Sequence, residues 1–364
     1  MSWSWTLYRY LAIQFLMGIV IVYSSFLLLA FSIDVVDLIN RTGGRTSTSM
    51  VVGMAILQLP YLGQRMLPFA VLFGGVFSFM RLSRSQELVA TRAAGVSAWD
   101  FLAPPLAVAI VLGVFAVAAF TPVSARMFAE FSALEARYVK GQVSQLAISQ
   151  NGLWLRQADE SQQSVIHALR VTNQGEQLEL TDVMVIRYGP NYKFAERIDA
   201  HDAQLRAGHW EMHDAWISDN QGAKQHFDQY ELATTLTTQQ VEQSFTSPEA
   251  FSFWDLPGYI RAAQAAGFSA RRYELYFYTL LALPALFAAM VLMAASFSLQ
   301  TSRSGGIGRM VVISALAGFG VYFFSDTTRV LGQNAIIPIL LAATAPALAS
   351  ILIGMTLVFH QEDG

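Results

Sequence analysis

Long apolar runs separated by short polar breaks fill the first 125 residues, and the same pattern returns from residue 271 to the end. Five stretches carry few or no charges over about 20 residues, the length that crosses roughly 30 Å of hydrocarbon. They are Leu7–Ile33, Phe101–Thr121, Tyr273–Leu299, Met310–Ser325 with its flanks, and Ala335–Phe359. A sixth, Met50–Met80, is broken only by Gln58, Gln64 and Arg65. A central arginine costs about 3 kcal/mol on insertion scales and each Leu, Ile, Phe or Val returns about 0.3–0.6. The apolar neighbours of Arg65 are numerous enough to offset it. The pattern predicts six transmembrane helices, three on each side of a polar segment.

Between Arg126 and Arg271 the period changes from helical to alternating. "SVIHALRV", "QLELTDVMVIRY", "HWEMHDAWIS" and "QHFDQYELATTL" place apolar residues at nearly every second position. Turn signals such as "NQGE", "YGPN", "RAGH" and "DNQGAK" separate them. Such spacing predicts an antiparallel all-β domain, a sandwich or jellyroll. The expected division is therefore transmembrane helices 1–3 over 1–125, the β domain over 126–270, and helices 4–6 over 271–364. With no cysteine in the chain, no disulfide holds that domain together.

Composition agrees with a membrane protein: 54% of residues are hydrophobic and 13% charged, against about 25% charged in soluble domains. The first span is too long for a signal peptide, and no small-x-small cleavage site follows it before Asp34. With both termini inside, the inner loops carry Arg9, Arg81, Arg84, Arg92, Arg303 and Arg309, and the outer short loops only Arg41, Arg45 and Arg329. That bias puts both termini in the cytoplasm. The β domain then lies on the outer side. It holds all three lysines and five of the six histidines, yet acidic residues outnumber basic ones 18 to 11 from Arg126 to Ala270.

Candidate chemistry is sparse. None of Lys140, Lys193 and Lys224 follows a glycine, so no P-loop is present, and the chain is not expected to hydrolyse ATP by itself. "SGGIG" at Ser304–Gly308 lacks a lysine and reads as a turn. "HWEMHD" sets His209, Glu211 and His213 on one strand face, which a metal site or a solvated polar face would do equally. No Gly-x-Ser-x-Gly elbow or His-Glu-x-x-His helix occurs. No cofactor, metal or nucleic acid is expected. Charges near the membrane say more, because intramembrane charge tends to face a cavity or a partner. Arg65 lies deep in span two. Arg41, Arg45, Arg126, Arg271 and Arg272 gather near the outer headgroup level, either as interfacial anchors or as forked receptors for phosphate.

"RSQELVATRAAGVS", Arg84 to Ser97, is a charged island between two spans. Ser83 with Gln86 reads as a capping box and Gly95 as a stop, predicting an inner helix over 83–97. Arg84, Glu87 and Thr91 share its polar face. It is either an interfacial helix or a coupling helix gripped by a separate motor.

This stretch resembles the Glu-Leu-x-Ala-x-x-Ala-x-Gly-x-Ser segment of the LptF/LptG family, the lipopolysaccharide-export permeases also called YjgP/YjgQ. "DLINRTGG", "LPYLGQRMLPFAVLFG", "NGLWLR", "ARRYELYF" and "MVLMAASFSL" extend the likeness over nearly the whole chain, and the last two resemble the LptG branch more than LptF. The resemblance implies an ABC-transporter permease in the bacterial inner membrane with a periplasmic β-jellyroll. It implies an LptF-like partner permease, an LptB-like ATPase dimer and an LptC-like membrane-anchored β protein. The transported molecule would be lipopolysaccharide, taken from the outer leaflet amid membrane lipids and passed through the jellyroll toward the outer membrane. In that picture Arg84, Glu87, Leu88, Thr91 and Arg92 face the ATPase, with Glu87 matching the family's coupling glutamate.

The family's headgroup-binding basic residues match unevenly. Arg41 keeps its place, but Asp34 and Tyr61 stand where lysines are usual, with Arg65 one turn after Tyr61. The basic pair after span three is displaced toward Arg126 and Arg137. The resemblance therefore implies that Arg41, Arg45, Arg65 and Arg126 contact lipid phosphates. Three other readings compete: a permease of another lipid- or lipoprotein-extracting ABC system, a membrane-anchored enzyme working through the histidine-rich domain, and a structural scaffold without transport.

Overall fold

The structure, a computed structural model, describes residues 5–42, 46–87, 97–138, 153–158, 163–174, 177–189, 194–206, 208–219, 223–234, 247–265, 270–301 and 307–362. Helices α1 (Trp5–Thr42) and α2 (Thr48–Arg84) come first. Next come α3 (Ala98–Phe115), a π-helical turn (Ala116–Phe120) and α4 (Thr121–Tyr138). Six strands follow, then a short α5 (Leu256–Ala265), and finally α6 (Arg271–Thr301), α7 (Ile307–Gln333) and α8 (Ile339–Glu362). Six helical stretches are long and apolar enough to cross a membrane, with α3, the π turn and α4 counting as one. The protein is a helical membrane protein with an inserted β domain. Two compact units separate: one contains residues 1–130, 249–257 and 271–364, the other 131–248 and 258–270.

In the helical unit, close packing rests on small residues, as expected where lipid is as apolar as the side chains and only tight contact favours association. A Cβ at Gly74 would lie 2.6 Å from the Cα of Ile19, so α1 and α2 touch backbone to backbone there. Ser78 Oγ on α2 then donates to the Gln14 carbonyl at 3.0 Å. Likewise a Cβ at Gly113 of α3 would meet the Cα of Pro284 on α6 at 2.5 Å. Helix α6 is the centre of this unit, packing on α2, α3 and α8, with Phe287 and Ala289–Ala295 buried. The small-residue run in α8 packs within the chain: Ala342 and Ala343 cluster with Leu275 of α6.

The spans run further than their apolar cores. Helix α1 continues past Ile33 through Asp34, Asp37 and Arg41, and α7 past Ser325 through Arg329. Arg329, expected in a short loop, is thus a helical residue. Arg271, expected at the headgroup level, donates to the carbonyls of Gly332 (2.5 Å) and Ile337 (2.8 Å). It ties the start of α6 to the turn between α7 and α8.

The capping box expected at Ser83 is not formed. Ser83 and Arg84 complete α2, Ser85 caps its C-terminus, and Gln86 takes a left-handed φ of 60°, the geometry that ends a helix rather than starts one. Helical conformation resumes at Glu87.

In the β unit the strands are β1 (Leu153–Ala158), β2 (Gln163–Gln174), β3 (Gln177–Tyr188), β4 (Phe194–Arg206), β5 (His209–Asp219) and β6 (Lys224–Ala233). They pair antiparallel in sequence order, a meander, with β1 and β6 at the edges. Inward residues of β2 to β6, with Ile166, Leu180, Val185, Ile198, Trp210, Met212 and Leu232 among them, form one buried cluster. The alternation slips once in each of three neighbouring strands. Leu180 and Val183, Ala200 and Ala203, and Met212 and Ala215 are buried, so two consecutive residues between each pair point outward. Register shows the slips aligned: Thr181 pairs with Asp202, and Asp202 with His213. Asp182 (φ 56°) and Asp214 (φ 54°) take a left-handed conformation at the slips, which Asp tolerates better than most side chains, and the pairing register is unchanged across them.

Candidate functional site

Three helices of the helical unit leave a cleft between them, with about 980 Å³ of empty space when its open part is counted. Each helix contributes one face at helical spacing: Tyr61, Gln64, Arg65, Pro68 and Phe69 from α2; Tyr276, Leu280, Leu283, Leu286 and Met290 from α6; Gly318, Val321, Tyr322, Ser325, Asp326 and Arg329 from α7. Glu249, from the segment entering α5, completes the lining. Gly318 lets α7 come close, since a Cβ there would stand 3.0 Å from Leu72 Cδ2.

The lining is graded. Helices α2 and α6 begin, and α7 ends, at one end of the unit. The polar lining residues Tyr61, Gln64, Arg65, Tyr276, Ser325, Asp326 and Arg329 lie toward that end, and Phe69, Leu286, Met290, Gly318 and Val321 lie deeper. Arg65 is held but accessible: its Nη1 donates to the Tyr61 hydroxyl at 3.3 Å, and the guanidinium stands 5.8 Å from the Tyr61 ring centroid. Tyr61 is braced in turn by Phe128, with ring centroids 4.4 Å apart. Gln64 Nε2 donates to the Tyr276 hydroxyl at 3.4 Å, bridging α2 and α6. Phe69 meets Tyr322 across the cleft at 5.9 Å. Such a site suits an amphiphile, with charge and hydroxyls at one end and an apolar floor at the other.

Of the four arginines expected at the headgroup, Arg65 lines the cleft. Arg41 lies exposed on α1, 3.6 Å from Asp37 one turn earlier. Arg126 is exposed on α4 and outside the lining. Arg45 lies outside the described residues. The sequence reading missed Gln64, Glu249, Tyr276, Asp326 and Arg329 as residues that share the cleft with Arg65. For all but Glu249 the one signal was polarity inside or beside apolar runs.

Of the residues expected to face an ATPase, Arg84 is exposed in the last turn of α2. Glu87 lies within electrostatic reach of the Tyr10 side chain of α1. Leu88, Thr91 and Arg92 lie outside the described residues. In the β unit His209, Glu211 and His213 do share one outward face, behind buried Trp210 and Met212. His213 Nδ1 is hydrogen-bonded to Asp202 Oδ2 at 2.7 Å, and His226 Nε2 to Asp214 Oδ1 at 2.6 Å. Among the described residues no group of three or more such side chains is placed to hold a metal ion.

The family described as lipopolysaccharide export system permease LptF/LptG matches residues 9–359. The chain is 25% identical to the lipopolysaccharide export system permease protein LptG of Escherichia coli K12 over 357 residues, covering 94% of this chain and 95% of that one. Its likeness to the Haemophilus influenzae protein of the same name is 23% over 307 residues, 81% and 82% of the two chains.

Proposed function

Since the chain belongs to the LptF/LptG family of lipopolysaccharide export permeases, we propose that it is the LptG-like half of an ABC transporter that lifts lipopolysaccharide from the outer leaflet of the bacterial inner membrane. The observation that carries this reading is the graded cleft between α2, α6 and α7, with Arg65 at its polar end and an apolar floor below. A phosphorylated glycolipid has that same division. Guanidinium groups bind phosphate oxygens through paired donors and stay charged at any working pH.

In this mechanism the cleft is one wall of a larger cavity completed by an LptF-like permease. Arg65 takes a lipid A phosphate, supported by Arg41, Arg45 and Arg126 where the partner chain brings them near. Acyl chains rest on Phe69, Leu286 and Met290. An LptB-like ATPase dimer drives closure from the cytoplasm through the inner segment around Arg84, Glu87, Leu88, Thr91 and Arg92, since the chain has no nucleotide-binding loop of its own. Both termini lie on that side. The β domain, residues 126–270, lies in the periplasm and receives the displaced lipid. Its edge strand β6, with most residues exposed, offers backbone groups for pairing with an LptC-like β protein.

A photo-crosslinking amino acid at Phe69 or Tyr322 tests this in the native membrane. Adducts with lipopolysaccharide at both positions, weakened by Arg65→Gln and retained with Arg65→Lys, are expected. Labelling by phospholipid alone would overturn the proposal.

A further inference from the structure

The cleft carries both signs of charge. Arg65 and Arg329 supply two cations, and Glu249 and Asp326 two carboxylates. The carboxylates belong to the same polar end as the arginines, because the charge of Glu249 acts on Tyr61, Arg65 and Tyr276. Yet among the described residues none of the four forms an ion pair, although ion pairs occur elsewhere in the chain. Asp326 and Arg329 are three residues apart on one helix face and still do not close on each other.

Four unpaired charges beside hydrocarbon are costly. A cleft built only for phosphate would gain nothing from two carboxylates, which repel a purely anionic headgroup as the arginines attract it. A headgroup with a phosphate and an ammonium a few bonds apart satisfies all four at once. We propose that this cleft selects lipids whose phosphate bears an amine-carrying substituent, with Arg65 and Arg329 on the phosphate and Glu249 and Asp326 on the ammonium. The inference rests on the amphiphile-binding reading of the cleft and names the headgroup chemistry that it prefers. Two sources supply such chemistry: lipopolysaccharide with amine-substituted phosphates, and phosphatidylethanolamine.

The test uses the full chain, purified with its native complex and reconstituted into nanodiscs. Three lipids are offered in a phosphatidylglycerol background: lipopolysaccharide with unsubstituted phosphates, lipopolysaccharide with phosphoethanolamine on its phosphates, and phosphatidylethanolamine. Retained lipid is read by native mass spectrometry. Wild type should retain the phosphoethanolamine form over the unsubstituted form by about tenfold, roughly one well-placed ion pair. Glu249→Gln combined with Asp326→Asn should abolish that preference while still retaining unsubstituted lipopolysaccharide, which shows the cleft intact. Phosphatidylethanolamine displacing the substituted form would identify bulk phospholipid as the source and support the ammonium site. Equal retention by wild type, or a preference that survives the double substitution, overturns the proposal. If neither form of lipopolysaccharide is retained, the transport reading fails by itself, and phosphatidylethanolamine against phosphatidylglycerol then judges the ammonium site by the same criteria.

Discussion

The indole N–H of Trp254 donates to the main-chain carbonyl of Ala118 at 3.0 Å. The reason lies four residues on, where Pro122 has no N–H to offer that carbonyl. The chain widens into a π turn at Ala116–Phe120, and the Thr121 hydroxyl takes the Ala116 carbonyl at 2.8 Å. Trp254 thereby satisfies a group that proline orphaned, and it ties the segment after the β domain to the third span. Replacing Trp254 with Phe keeps the ring and removes the donor. It should cost about 1 kcal/mol, read as a lower thermal midpoint in detergent. Adding Pro122→Ala returns an N–H to the helix and should recover most of the loss. An unchanged midpoint for Trp254→Phe would sink the account.

Contact between α1 and α2 gives a sharper case. An alanine at Gly74 places its Cβ 2.6 Å from the Cα of Ile19 and 2.7 Å from its nitrogen. Backbone cannot rotate away, so the helices must separate. Gly74→Ala should destabilise by about 1–3 kcal/mol and lower the yield of folded protein. Gly53→Ala, in the same helix with nothing within 4 Å, should stabilise by about 0.5–1 kcal/mol. The two thermal midpoints should move in opposite directions, and movement the same way would disprove the packing argument.

What the sequence made legible follows from the range of each signal. Spans and strands announce themselves locally: about 20 apolar residues must cross a bilayer, and alternation must face a core. Helix ends were harder to place, because Asp37 and Arg41 extend α1 beyond the apolar run as a solvated turn. Ser83 and Gln86 carry a capping-box spacing, yet tertiary packing continues α2 through Ser83, and the turn comes at Gln86. The aligned slip in β3 to β5 was written in "LTDV", "AHDA" and "MHDA", where two polar residues interrupt the alternation, but one strand alone cannot tell a break in the pleat from noise. Arg65 stood out as a charge in a span. Its neighbours Glu249, Tyr276 and Arg329 come from segments far along the chain, and only the helix packing brings them together.

Acid should weaken the β domain through Glu211. Arg206 donates from Nε to Glu211 Oε2 at 3.0 Å, and that bond, with the charge behind it, holds the Glu211 carboxyl below the usual carboxylate range. A depressed folded pKa contributes stability above the unfolded value, and the contribution is lost as pH falls through the folded one. Between about pH 5 and pH 3, wild type should lose thermal midpoint faster than Arg206→Gln, whose Glu211 titrates closer to its unfolded value. Circular dichroism melts across that range measure both slopes. Parallel slopes would remove Glu211 from the account.

The segment that follows α2 offers the last test. Glu87 follows the left-handed turn at Gln86, within electrostatic reach of the Tyr10 side chain of α1. A carboxylate beside α1 can pass a push from a bound motor to that helix. Under the proposed function, Glu87→Lys should abolish co-purification of an ATPase in mild detergent while the chain still melts cooperatively, with stability lowered by no more than about 1 kcal/mol for the lost Tyr10 interaction. Tyr10→Phe keeps the carboxylate and removes the hydroxyl near it; the ATPase should still co-elute, with hydrolysis no longer stimulated by lipopolysaccharide. Undiminished co-elution with Glu87→Lys would place the motor contact elsewhere, and full stimulation with Tyr10→Phe would show that the carboxylate needs no anchor on α1.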